Sequence, residues 1–117
     1  MKHTLTITNW TPIRLNLWEG RHWRVKHRLK KMQAEVLGTY SALASIPAAE
    51  GKRRVSLILT MAPRQRRPDP DAFWKGMLDG LVLCGLLVDD GPKWCELGSV
   101  SYERGPVRQT RIVLEDV

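Results

Sequence analysis

The sequence predicts a single α+β domain, in which a small mixed β-sheet packs against two main helices in the order β-α-β-α-β-β. Short segments with alternating polar and apolar residues are separated by two longer segments with helical spacing. The 117 residues are the length of one ordinary domain. A hydrophobic content of 43% and a charged content of 26% are typical of a folded protein. We therefore expect residues 1–117 to form one domain without repeats.

The first half of the chain predicts a strand, a helix and a second strand. Residues 4–10 alternate, and the step from Trp10 through Thr11 to Pro12 ends this strand. Residues 20–43 contain apolar side chains at spacings of four and three, which is the pattern of one helix face. Residues 54–61 alternate again and predict the second strand. The predicted buried face of the helix consists of Val25, Leu29, Met32, Val36, Tyr40 and Leu43.

The second half predicts a helix followed by two strands. Asp69 as the N-cap and Pro70 at the first helical position favour a helix start, and Gly85 favours its end. Residues 89–92 have the composition of a turn. Residues 100–103 and 110–114 predict two strands, which we expect to form an antiparallel hairpin through residues 104–106. The buried face of this helix is predicted to comprise Trp74, Met77, Leu78, Leu81 and Val82.

The charge of the chain favours a polyanionic partner. The net charge of +7 and a pI near 9.9 favour DNA or RNA over lipid, since no lipidation motif or basic amphipathic segment with an exposed apolar face is present. The N-terminal residues lack the apolar core of a signal peptide, and the longest apolar run, Leu81 to Val88, is too short to span a bilayer. We expect a cytoplasmic, nucleoid-associated protein. Cys84 and Cys95 lack metal-binding spacing and are predicted to be reduced core residues.

Two groups of basic residues are candidates for DNA binding. Cations at the start of a helix oppose its macrodipole, so the first group suggests phosphate binding, although a solvated charged face is the alternative. Trp18 and Trp23 stand among these cations and are open to either base stacking or packing, whereas Trp74 is assigned to the core. The first group is Arg21, Arg24, Lys26, Arg28, Lys30 and Lys31, and the second is Arg64, Arg66 and Arg67.

Acidic residues at both ends of the second predicted helix are candidates for a metal site. Asp69 and Asp71 straddle its start, and Asp90 follows its end. Carboxylates about 4 Å apart repel by roughly 4 kcal/mol at an effective dielectric near 20, so their convergence would require a cation or a shared proton. Oxygen ligands suit Mg²⁺, with Mn²⁺ as the alternative. Lys75 lies one turn after Asp71 and would reach the same site. The alternative interpretation is a helix cap, an i,i+4 ion pair and a turn.

The run Arg66-Arg67-x-Asp69-x-Asp71-x-x-x-Lys75-x-x-x-Asp79, followed by Gly85 and Asp89-Asp90, resembles the RusA family of Holliday junction resolvases. The similarity extends upstream through Pro12, Asn16-Leu17 and His22-Trp23, and downstream to the final two strands. It implies a Mg²⁺-dependent homodimeric endonuclease that nicks four-way DNA junctions symmetrically in recombination and repair. By motif position, it assigns the metal-binding carboxylates and the essential lysine to Asp69, Asp71, Asp90 and Lys75, with Asp89 the less favoured of its pair.

One position departs from this family. Ala72 stands where the family usually has asparagine, so an amide that could orient a carboxylate or hold a water is missing. The sequence thus leaves three hypotheses: a junction-selective nuclease, a protein of the same fold that binds branched DNA without cutting it, and a basic RNA-binding protein whose aspartates only cap and turn. Mg²⁺-dependent paired nicks distinguish the first from the others.

Overall fold

A computed structural model describes residues 1–12, 22–64 and 71–117, without the side chains of Asp71 and Ala72. The elements follow the predicted order and confirm the α+β class. They are β1 (Lys2–Thr8), α1 (Trp23–Leu43), β2 (Arg53–Met61), α2 (Asp71–Leu83), β3 (Cys95–Arg104) and β4 (Gln109–Asp116). No helix within these ranges is both long and apolar enough to cross a membrane.

The four strands form one mixed sheet in the order β1-β4-β2-β3. Strand β4 is antiparallel to both β1 and β2, and β3 is parallel to β2. The register aligns residues into rows across the sheet. Ile112 of β4 is paired with Leu5 of β1 and with Leu57 of β2, and Leu57 is paired with Val100 of β3. Residues of one parity along β1, β2 and β4 therefore point to the same face, whereas the parity changes along β3 because its register with β2 shifts between Leu97 and Val100.

That face carries the core. Inward residues of the strands, such as Leu57 and Ile112, form one buried cluster with Leu37 of α1 and Met77 and Leu81 of α2. Central strand β2 alternates buried and half-buried positions along its whole length, as a strand does when one face packs against helices. The protein thus consists of two layers, with both helices contributing to one core.

The predicted hairpin between the last two strands is wrong. Strand β2 lies between β3 and β4, so the chain crosses the end of β2 before it returns, and the Gly105 N–H donates to Met61 O at 3.0 Å on the way. Gly105 and Pro106 correctly indicated a turn, but a turn does not specify the partner of the following strand. The crossover through α2 places β3 beside β2 in parallel, and β4 then pairs on the other side of β2.

The predicted buried face of α1 is also displaced. Met32 and Leu43 are 53% and 77% exposed, whereas Gln33 and Leu37 are buried. Val36 and Tyr40 are half-buried and pack on the core as expected. The face turns toward Gln33 and Leu37 because α2 approaches there: a β-carbon added at Gly80 would lie 2.8 Å from Leu37 Cδ1. The absence of a side chain at Gly80 thus allows α2 to pack closely against Leu37 of α1.

Helix α2 follows its prediction more closely. Met77 and Leu81 are fully buried, together with Phe73, and the partly buried Trp74 packs against the core as assigned. Gly85 has a φ of 84°, a left-handed conformation that favours glycine and ends helices. The predicted cap at Asp69 and Pro70 lies outside the described residues.

A buried arginine joins three segments at one end of the sheet. Arg53, the first residue of β2, is only 2% exposed. Its guanidinium donates to Asp116 Oδ1 at 2.8 Å, to Leu86 O at 3.0 Å and to Pro47 O at 3.0 Å. Since buried charges require such partners, Arg53 holds the α2–β3 segment against the end of the last strand.

Candidate nucleic-acid interface

Helix α1 presents three cations on one exposed face. Arg24, Arg28 and Lys31 are separated by four and three residues, which places them on the same side of the helix, and all three are exposed. Within the described part of the chain, no carboxylate lies within ion-pairing distance of any of them. We call Arg24, Arg28 and Lys31 the basic face. Its positive charge is available to a polyanion.

The start of α1 carries an exposed aromatic group. Trp23 is 65% exposed, and the Arg24 guanidinium lies 5.3 Å from the centre of its ring, within the range of a cation–π contact. The His22 ring lies 5.6 Å from the same tryptophan, and His22 Nδ1 accepts from the Arg24 N–H at 3.2 Å. The first turn contains no acidic residue, so the macrodipole and the cations both make this end positive.

The remaining predicted DNA contacts have different environments. Lys30 pairs with Asp79 across the helices at 3.3 Å, and Lys26 is half-buried, so neither belongs to the basic face. Arg64 is exposed in the turn after β2. Arg21, Arg66 and Arg67 lie outside the described residues.

A groove of about 730 Å³ runs between the two helices and the segment that follows α2. Its lining includes four carboxylates and two lysines, so it is locally negative in a chain of net positive charge. Asp89 and Asp90 are both exposed, and Asp89 Oδ1 accepts from the Asp90 N–H at 2.9 Å. The charged residues that line the groove are Lys30, Lys31, Glu35, Asp79, Asp89 and Asp90.

The predicted metal-site residues are only partly within the described chain. Asp69 lies outside it, and Asp71 begins α2 without a described side chain. Lys75 is exposed on the second turn of α2. Asp90 shares the groove with Asp79, and Asp79 lies eight residues, or about 12 Å along the helix axis, after Asp71. The structure therefore places Asp90 along the same groove as Asp79 and Asp89.

A divalent ion needs several of these carboxylates within a few ångströms. Among the described side chains, which exclude those of Asp69 and Asp71, no three His, Cys, Asp or Glu residues are placed to hold a metal. The exposed carboxylate of Asp90 suits Mg²⁺ by its chemistry. It would complete a site only with ligands from outside the described side chains.

The two cysteines are not part of this chemistry. Cys95 is buried and Cys84 is half-buried, and both are free thiols. Burial raises the pKa of both thiols, and the nearby charge of Asp90 raises the pKa of Cys95 further. The predicted packing is confirmed, because Cys95 belongs to the core cluster and the partly buried Cys84 packs against it.

Comparison with known proteins adds no assignment. No protein-family model matches this chain, and no curated protein is significantly similar to it.

Three features of the structure were not predicted from the sequence. The interhelical pair of Lys30 and Asp79 joins residues far apart in the chain, and the role of Arg53 depends on carbonyl groups from two loops. Neither has a local signal. The separation of Arg24, Arg28 and Lys31 from the other cations was detectable from their helical spacing, had the buried face of α1 been placed correctly.

Proposed function

We propose that this chain is a RusA-like, Mg²⁺-dependent endodeoxyribonuclease that acts as a homodimer on branched DNA, above all on four-way junctions. The observation that carries the proposal is the basic face: three exposed cations that form no ion pair with the described carboxylates, on a helix whose first turn contains no acid. Arg24 in the first turn opposes the helix macrodipole, and a row of exposed cations is suited to binding phosphates. The resemblance of the acidic run supplies the nuclease part of the proposal.

In this proposal the basic face positions the DNA without reading its sequence. Phosphate contacts fix the orientation of a duplex arm, whereas selectivity for a junction comes from its shape. Three neutralised phosphates would give a slope of about −2.7 in log K against log salt. Binding should therefore weaken steeply as salt increases.

The carboxylates of Asp69, Asp71 and Asp90 would hold the ion. When bound, Mg²⁺ stabilises the negative charge that develops on the phosphodiester during hydrolysis. Lys75 is exposed one turn after Asp71, and its ammonium would contact the scissile phosphate or orient the attacking water. Asp71 is the first residue of α2, and a carboxylate is generally stabilised near a helix N-terminus.

A second candidate is a protein that binds branched DNA without cutting it. One observation favours it. Asp90 shares its groove with Asp79, whereas Asp71 is the first residue of α2 and precedes Asp79 by about 12 Å along the helix axis. Ala72 in place of the family asparagine also favours a protein that does not cut, because an amide that could orient a carboxylate or hold a water is missing. Both candidates bind junctions through the basic face, and only the first one cleaves them.

Adjacent aspartates provide a matched test of the nuclease. Labelled four-way junction and linear duplex are incubated with and without Mg²⁺, using the wild-type protein, Asp71→Asn, Asp90→Asn and Asp89→Asn. We expect paired nicks in the junction only, loss of cleavage in Asp71→Asn and Asp90→Asn, and retained cleavage in Asp89→Asn, where the amide still accepts from the following N–H.

The same protein preparations separate the two candidates. Tight junction binding without nicks at any Mg²⁺ or Mn²⁺ concentration would establish the non-cutting protein. Equal binding of junction and duplex, or cleavage that survives Asp71→Asn and Asp90→Asn, would refute the proposed site. Changing Arg24, Arg28 and Lys31 together to glutamine should remove about 2.7 from the salt slope; an unchanged slope would exclude the basic face from the interface.

A further inference from the structure

We infer that Trp23 is a stacking platform for an unpaired base, placed at the end of the phosphate-binding basic face. This inference rests on the proposed function, because it assumes that α1 contacts nucleic acid. It adds a site for single-stranded or opened DNA, such as the bases exposed where a duplex branches.

The ring of Trp23 is exposed at the start of α1. Tryptophan has the largest side chain, and its burial normally stabilises a core, yet Trp23 is 65% exposed. Trp10 and Trp74, by contrast, pack partly buried against the core. An exposed tryptophan at a helix start contributes little to folding, which favours a contact with another molecule.

The Trp23 ring is in contact with both of its charged or aromatic neighbours, Arg24 and His22. The Arg24 guanidinium lies 5.3 Å from the centre of the Trp23 ring. The centre of the His22 ring lies 5.6 Å from the same point, and the two ring planes are tilted by 34°. His22 is itself held by its hydrogen bond from the Arg24 N–H. A side chain restricted in this way loses less conformational entropy when it binds.

The cations of the basic face extend along α1 from the Trp23 ring. Arg24 to Lys31 spans seven residues, or about 10.5 Å of helix, which is the axial length of about three nucleotides in one strand at 3.4 Å each. An aromatic ring at the end of a cationic track is the combination that single-stranded nucleic acid binds, with bases on the ring and phosphates on the cations. The positive charge along the whole track favours this ligand over a protein partner.

The test compares two substitutions of the ring on two probes. Trp23→Leu keeps an apolar side chain but removes the π face, and Trp23→Phe keeps a smaller π face. Both are exposed substitutions, so the urea midpoint should not change. Dissociation constants are measured for a labelled single-stranded oligonucleotide and for the duplex of the same sequence.

We expect Trp23→Leu to weaken single-strand binding about tenfold, within the range for loss of one stacked base, and duplex binding less than twofold. Trp23→Phe should retain most of the single-strand affinity. Equal effects of Trp23→Leu on both probes, or no effect on either, would overturn the stacking site while the proposed function stands.

Two further outcomes would also overturn it. If the wild-type protein binds neither probe nor a junction, the proposed function fails and the stacking site fails with it. If light scattering shows that Trp23→Leu changes the oligomeric mass, the ring belongs to a contact between copies of this chain.

Discussion

Replacing Arg53 with methionine tests whether one buried guanidinium holds the segment that carries Asp89 and Asp90. Methionine retains the aliphatic length but offers no donor. Leu86 O and Pro47 O would lose their partners at 3.0 Å, and Asp116 would lose its bond at 2.8 Å. The change therefore removes the connection between β2, the loop after α1 and the segment after α2.

The expected loss of stability follows from the two carbonyl groups. Leaving a buried acceptor without a donor costs about 1–3 kcal/mol, so both together predict a decrease of about 2–6 kcal/mol in the free energy of unfolding. The lower half of this range is expected, because the contact with Pro47 O is only part-buried. Arg54 supplies the matched control. It is 41% exposed and pairs with Glu96 at 3.2 Å, so Arg54→Met should cost less than about 1 kcal/mol.

Urea unfolding followed by tryptophan fluorescence measures both variants. With an m value of about 1.5 kcal/mol/M, a loss of 3 kcal/mol shifts the midpoint by roughly 2 M. Equal midpoints for Arg53→Met and Arg54→Met would refute the reasoning, because burial would then have no influence on the cost of losing an arginine. An unchanged midpoint in Arg53→Met would show that the carbonyl groups find other donors.

Three further predictions concern pH, backbone conformation and thiol reactivity. The hydrogen bond from Arg53 holds the pKa of Asp116 below its ordinary value of 3.8. The ionised Asp116 therefore contributes its full stabilisation of the folded protein above pH 3.8, and this contribution is lost as the pH falls through the pKa of Asp116 in the folded state. Asp116→Asn should therefore lose less stability than the wild type between pH 5 and 3 in urea titrations, and parallel losses would contradict this. Gly85→Ala forces alanine to a φ of 84° and should destabilise the protein by about 1–2 kcal/mol, whereas Gly51→Ala, with open space around its β-carbon, should not; equal thermal midpoints would contradict the assignment. Burial raises the pKa of both thiols, so they should react slowly with a disulfide reagent at neutral pH, Cys84 before the more buried Cys95, and fast labelling of Cys95 in the native protein would show that β3 opens.

The elements of this fold could be predicted from local sequence, but their neighbours could not. Alternation along residues 54–61 predicted β2 to within one residue of its observed bounds. The same kind of signal located β3 and β4, yet their predicted pairing was wrong. Alternation states only that one side of a strand is buried, whereas sheet order depends on which strands the helical crossover brings together.

The candidate site shows the same division. Arg24, Arg28 and Lys31 lie on one exposed side of α1, but the sequence did not separate them from the other cations, because the predicted buried face of this helix was displaced. The metal-site hypothesis based on Asp69, Asp71 and Asp90 stays a prediction. The groove that Asp90 shares with Asp79 depends on how α1 and α2 pack, and no spacing along the chain contains that information.

The sequence by itself determined the fold class, the helix stop at Gly85 and the positive charge of the chain, because each depends on composition or on residues close together in the chain. Only the tertiary structure decided that β2 separates β3 from β4, that Gln33 and Leu37 face α2, and that Trp23 remains exposed beside the basic face. These features depend on contacts between distant segments, whose energies are decided by shape and burial in the folded state.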